Sequence, residues 1–201
     1  MELLTGAGLA SAAGLNAWLP LLVLGLVARF TDVLAMPDGW AWLTEPAVLA
    51  GLGVLLLVEA LADKVPGVDH VNDALQTVVR PLAGGVAASA GTGGEGGRPA
   101  ADLSSWLASL DWPTVLAGAS LALAVHLLKA AGRAVVNATT FGLGAPVASV
   151  AEDALSLGLV ASALLAPLLV LVALALLVVV AVVVVRRRGR PRRPVRDVRA
   201  V

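Results

Sequence analysis

Two charge patterns set inside apolar sequence could do chemistry. Glu59 and Asp63 lie four residues apart in Pro46–Leu75, and His126, Lys129 and Arg133 follow one another at i, i+3 and i+7 in a second apolar stretch. On helices each set forms a stripe along one face. A lone charge in hydrocarbon costs several kcal/mol, so a carboxylate stripe and a basic stripe at the same depth are expected to pair. One chemistry this serves is a proton- or ion-coupled pathway. Glu59 would gain and lose the proton, His126 would be its titrating partner, and Asp63, Lys129 and Arg80 would tune the two. The other is a static salt-bridge network that fixes helix register. Both readings stay open at the level of sequence.

Asp73, Thr77 and Arg80 share a face by their spacing of four and seven, and so polar a face must turn toward protein or water. Asp69, His70 and Asp73 are weak metal candidates, since an imidazole and two carboxylates suit a divalent cation. Asp69 is equally a helix N-cap, which explains part of that cluster without metal. Ser149 with Glu152 three residues on forms a capping box, the structural role expected of Glu152. Asn16, one turn before Pro20, could fill the polar space that the proline opens or reach a neighbouring helix. Asn137 heads a glycosylation sequon, discounted here because it is placed on the inner side. No Ser/His/Asp order and no H-E-x-x-H pattern occurs, cysteine is absent, and no G-K-[ST] follows the glycines near residue 90. A catalytic role and a cofactor are therefore not expected.

The elements that must hold these groups are membrane helices. The 201 residues are 59% hydrophobic and 14% charged, with mean hydropathy +0.91; soluble domains use about 45–50% apolar residues. The expected class is all-α, a polytopic integral membrane bundle of about six spans, with five spans plus a re-entrant segment as the alternative. The pattern predicts a kinked helix over 3–28, a loop over 30–45, a helix from Pro46 to about Lys64, and a more polar helix capped by Asp69. A Gly-rich linker is expected over 84–100, then a helix from Pro113 to about Ala131 and a buried turn or re-entrant piece over 134–148. Ala154–Val185 carries no charge and is too long for one hydrocarbon layer, so it is expected to split near Pro167.

A repeat is discernible. Pro46-Ala47-Val48-Leu49-Ala50-Gly51 returns as Pro113-Thr114-Val115-Leu116-Ala117-Gly118, with Glu59 and His126 each thirteen residues after the proline. Val71-Asn72-Asp73-Ala74-Leu75 is echoed by Ala151-Glu152-Asp153-Ala154-Leu155. The repeat units would be about 46–83 and 113–166, within a single transmembrane domain over 1–185.

Residues 1–185 hold six Lys/Arg against thirteen Asp/Glu, whereas 186–201 hold eight Arg against one Asp. The positive-inside rule makes that tail cytoplasmic and places the acidic, Trp-bearing connections outside. With six spans both termini lie inside, in the plasma membrane; the five-span alternative moves the N-terminus outside. The tail is expected to be disordered and to attract anionic lipid headgroups. A homo-oligomer is compatible with this layout, and nothing points to nucleic acid.

The chain resembles a family of small bacterial membrane proteins described only as a domain of unknown function, DUF4126. The resemblance rests on Gly14-Leu15-Asn16-Ala17 with Leu19-Pro20, Glu59 with Asp63-Lys64, Asp69-His70, Asp73 and Arg80-Pro81. It continues through His126, Lys129, Arg133, Asn137 and Glu152-Asp153. It implies a polytopic membrane protein and carries no activity with it. It also adds Lys64 and Asp153 to the secondary polar positions.

Overall fold

The computed structural model describes residues 1–34, 36–63, 68–93, 103–141 and 143–188, and among these all regular structure is helical. The helices are α1 (Glu2–Leu15), α2 (Leu19–Phe30), a 3-10 helix (Asp38–Thr44), α3 (Pro46–Ala62) and α4 (Val68–Gly91). They continue with α5 (Leu103–Ala108), α6 (Trp112–Thr140), α7 (Ala145–Leu165) and α8 (Leu168–Arg188). Proline stands in the first turn of α2, α3, α6 and α7, where its missing N–H costs nothing.

α1 is the hub, packed against α4, α6 and α7. Its buried residues are Gly6, Gly8, Leu9, Ala10, Ser11, Ala12, Ala13 and Gly14, all but Leu9 small. Small residues let helix backbones approach closely, which matters where dispersion and not water drives association. At Gly14 a β-carbon would stand 2.5 Å from the Ala122 carbonyl oxygen, and one at Gly84 or Gly118 would run into Ala122 or Ala88.

Inter-helix bonds fix the directions. Thr5 Oγ1 donates to the Ala163 carbonyl (3.1 Å), Ser156 Oγ to Ala12 (3.0 Å), and Asn16 Nδ2 to Asp153 Oδ1 (3.0 Å). α1 is thus antiparallel to α7. Gly6, Ala88 and Pro113 line one small hollow, so α1 starts at the end of the bundle where α6 starts and α4 finishes. Arg29 of α2 donates to the Thr44 carbonyl just ahead of α3 (2.7 Å), while α3 runs away from that end to bring Asp63 against α6. α1 and α2 therefore form a helical hairpin, open at the α6-start end, with Asn16–Trp18 as its tip inside the bundle.

Several expectations are corrected here. The segment 3–28 is two helices, because Asn16 caps α2 and reverses the chain before Pro20. The 30–45 connection contains the 3-10 helix, with Trp40 fully buried at 6.2 Å from the Trp42 ring and 6.4 Å from Trp106. α4 starts at Val68, so Asp69 lies in its first turn and is no N-cap. It continues through Gly84 and Gly85 to Gly91, because those glycines are contact points and not linker; residues 94–100 lie outside the described residues. α6 runs to Thr140, past Ala131, and ends on left-handed Phe141 (φ 52). The piece over 134–148 is thus the end of one helix, a tight turn and the start of α7. Ser149 falls inside α7, which begins at Ala145, so no capping box forms. α7 and α8 part at Ala166–Pro167, where the proline was expected to break the run. Of the Arg-rich tail only the helical backbone of 186–188 is described.

Among the described residues α6 and α7 are long and apolar enough to cross a membrane. The 3-10 helix and α3, bent by 61°, make a third span if counted together, while α2 and Leu168–Val179 are shorter apolar helices.

Candidate functional site

The site is assembled around the hairpin tip. A helix leaves its last carbonyls without partners and carries partial negative charge at that end. In α1 two of these carbonyls meet cations: Gly14 O accepts from Arg80 Nη1 (3.3 Å) and Leu15 O from Lys129 Nζ (2.8 Å). Asn16 Oδ1 accepts from the amides of Trp18 (3.2 Å) and Leu19 (3.0 Å) and so starts α2. Its amide nitrogen binds Asp153 on α7. Asn16→Ala removes all three bonds, and we expect it to cost about 1–3 kcal/mol, read as a lower melting temperature in detergent. Asn16→Asp should not rescue it, since the new carboxylate would face Asp153.

Arg80 fills the centre at 0% exposure. Its Nη2 donates to Glu59 Oε1 at 2.6 Å, a buried ion pair, and its Nη1 donates to His126 Nδ1 at 3.0 Å. A guanidinium can only donate, so His126 Nδ1 is an unprotonated acceptor. Nε2 then carries the ring proton and donates to Thr77 Oγ1 (3.0 Å), whose hydroxyl donates to the Asp73 carbonyl (2.9 Å). The tautomer follows from the neighbours. Glu59 and His126 are both buried, and Arg80 stands between them; they are not the direct pair expected from their matched depths.

A second cluster lies one turn along α3 and α6. Asp63 Oδ2 takes Arg133 Nη2 (2.9 Å) and Lys129 Nζ (3.3 Å), and its Oδ1 takes the Asn72 amide (2.7 Å). Glu152 grips Arg133 twice, at Nε (3.2 Å) and Nη2 (2.7 Å), and reaches Lys129 Nζ at 3.1 Å. Here the carboxylate and basic stripes do meet. With Glu59 and Arg80, three carboxylates and three cations balance to a neutral centre.

A cavity of about 500 Å³ opens between α1, α6, α7 and α8 beside this second cluster, with Lys129, Arg133 and Glu152 in an otherwise apolar wall. Ser11 and Leu15 of the hairpin contribute to it. Glu59, Arg80 and His126 do not line it.

The profile of one family, Domain of unknown function (DUF4126), matches residues 3–187. The chain belongs to the DUF4126 family. No curated protein and no solved structure matches it. The DUF4126 match spans every residue of the two clusters, the hairpin and most of α8.

The remaining expected positions are dispersed. Asp73 is half-buried on α4, with Oδ1 enclosed and without a partner among the described residues. Asn137 is half-buried on α6, one turn beyond Arg133. Lys64 and the side chains of Asp69 and His70 lie outside the described residues, so the metal candidates among them do too. Asn72 and Thr77 belong to the site through their bonds to Asp63 and His126 and were not singled out as site residues; Gln76 is buried on the same helix. Their signal was present: polar residues crowd the first half of α4 in a chain that is 59% hydrophobic.

Proposed function

We propose that this DUF4126 chain is a non-enzymatic, multi-pass membrane transporter with five spans, α3, α4, α6, α7 and α8, and an α1–α2 hairpin that enters and leaves on one side. The Arg-rich end of α8 then lies in the cytoplasm and the hairpin opens outward. The substrate site is the cavity beside Lys129, Arg133 and Glu152, and the Glu59–Arg80–His126 trio locks the hairpin tip in place. The observation that carries this reading is the interrupted α1–α2 hairpin: helix ends, with carbonyls held by Arg80 and Lys129 and not by backbone, sit deep in the bundle at a charged cluster that borders a cavity. Transporters place their sites at such interrupted helices, and irregular backbone is tolerated at that depth only inside protein or along a cavity. Arg80 argues against proton transfer between His126 and Glu59, because a guanidinium does not give up its proton.

A membrane scaffold is the second reading, favoured because each of the six charges has an oppositely charged partner and five of them are buried. The chain has no cysteine, so spin labels can be placed at will on exposed positions. We expect labels at Leu61 and Val147 near one end, and at Thr31 and Leu165 near the other, each to report two distances, one end opening as the other closes. A single narrow distance at both ends, from acidic to neutral pH, would instead favour the scaffold.

A further inference from the structure

The cavity has a wall chemistry that specifies a ligand class, and the inference below rests on the transport reading for its purpose. Its volume of about 500 Å³ falls within the range of roughly 300–1,000 Å³ typical of small-molecule sites, which combine apolar walls with a few placed polar groups. Leu155 and Leu159 of α7 face Leu174 and Leu177 of α8 across it. That lining suits an extended hydrocarbon chain. The polar groups lie in the half nearer the α6–α7 turn.

Their capacity can be counted. Lys129 Nζ donates to Leu15 O and Asp63 and stands 3.1 Å from Glu152 Oε2, so acceptors already surround it. Arg133 uses Nε and Nη2, while Nη1 has no partner among the described residues, in a side chain only 2% exposed. Glu152 is the most exposed of the four charged side chains, at 13%, and its Oε1 accepts one bond where two lone pairs are available. Nη1 of Arg133 is itself enclosed, so what the wall offers a ligand is the spare acceptor of Glu152, in a cluster whose charges already cancel. A head group carrying charge of either sign would leave a net charge enclosed in hydrocarbon, which costs several kcal/mol. A hydroxyl donates to that acceptor and adds no charge.

We propose that this cavity binds a single-chain lipid with an uncharged, hydroxyl-bearing head group, of the monoacylglycerol type, its head donating to Glu152 and its chain between α7 and α8. The test uses the full chain in phosphatidylcholine nanodiscs with a monoacylglycerol bearing a diazirine in its acyl chain. Saturable photolabelling is expected on the Leu155/Leu159 and Leu174/Leu177 faces. Unlabelled monoacylglycerol should compete at about tenfold lower concentration than the fatty acid or the alkylamine of equal chain length. Ala151→Phe and Ala173→Phe, each adding bulk to the wall, should reduce labelling several-fold. Labelling that does not saturate and falls equally on lipid-facing Leu55 and Val58 of α3 would overturn the proposal, because the cavity would then hold bulk lipid only. Equal competition by the acid or the amine would overturn the head-group assignment. Should the phenylalanine variants fail to fold, the wild-type competition series decides alone. Saturable labelling with a single spin-label distance would keep the site and remove transport; two distances without saturable labelling would do the reverse.

Discussion

Arg80→Ala is expected to be the most damaging single substitution in the chain, lowering stability by about 3–5 kcal/mol. It strands Glu59 as an uncompensated buried charge, removes the donor to His126 Nδ1, and leaves the Gly14 carbonyl open at the end of α1. Three helices lose their common contact at once. Arg80→Lys should recover only part of the loss, since an ammonium cannot reproduce the planar fork that reaches Glu59 and His126 together. Glu59→Leu combined with Arg80→Met should be clearly more stable than either single variant, because replacing a buried pair by apolar groups is often close to neutral. Thermal melts of the four proteins in one detergent check this. Singles that melt like the wild type would mean that the pair does not hold the tip.

Asp63→Asn is expected to come next, at about 3 kcal/mol. The substitution is nearly isosteric but removes the negative charge and turns one of two accepting oxygens into a donor, so that Lys129 and Arg133 would keep only Glu152 as a carboxylate partner. Lys129→Met added to Asp63→Asn restores neutrality, and we expect it to regain at least half of the loss although it deletes a further hydrogen bond. Glu152→Gln should cost less than Asp63→Asn, because Glu152 is the more exposed carboxylate, at 13% against 4%, and water can compensate part of its removal. Chemical denaturation in mixed micelles gives the order. A double variant worse than Asp63→Asn would show that local bonds, and not net charge, dominate the cluster.

Most of the charges around these two positions were legible in sequence. Glu59 with Asp63, and Lys129 with Arg133, declare themselves by helical spacing in runs otherwise free of charge, and pairing follows from the cost of leaving them alone. Pro167 marks the α7–α8 break for an equally local reason. What was not legible depends on partners far along the chain. Asn16 could be read as filling a proline kink, but its role as the cap that reverses the chain depends on Asp153, 137 residues away. Arg80 looked like one tuning group among several; its central place follows only once α3 and α6 close on either side of α4. The glycines of 84–91 suggest a linker by composition. Packed against Ala122 and Gly118 they are helix, since close approach and not flexibility is what they supply. The Trp-bearing connection over 30–45 was expected to be a loop, and nothing in its sequence tells that Trp40 is fully enclosed.

The state of His126 bears most directly on the claim that the centre is a fixed lock. The chain has two histidines, so nitrogen NMR on ring-labelled protein, with His70→Gln to assign the signals, isolates it. At neutral pH we expect one protonated nitrogen, Nε2, and one unprotonated nitrogen, Nδ1, with the shift of a hydrogen-bond acceptor, and Arg80→Lys should perturb Nδ1 far more than Nε2. An imidazolium at neutral pH, or rapid exchange between the two tautomers, would contradict the lock and return His126 to the role of a proton carrier.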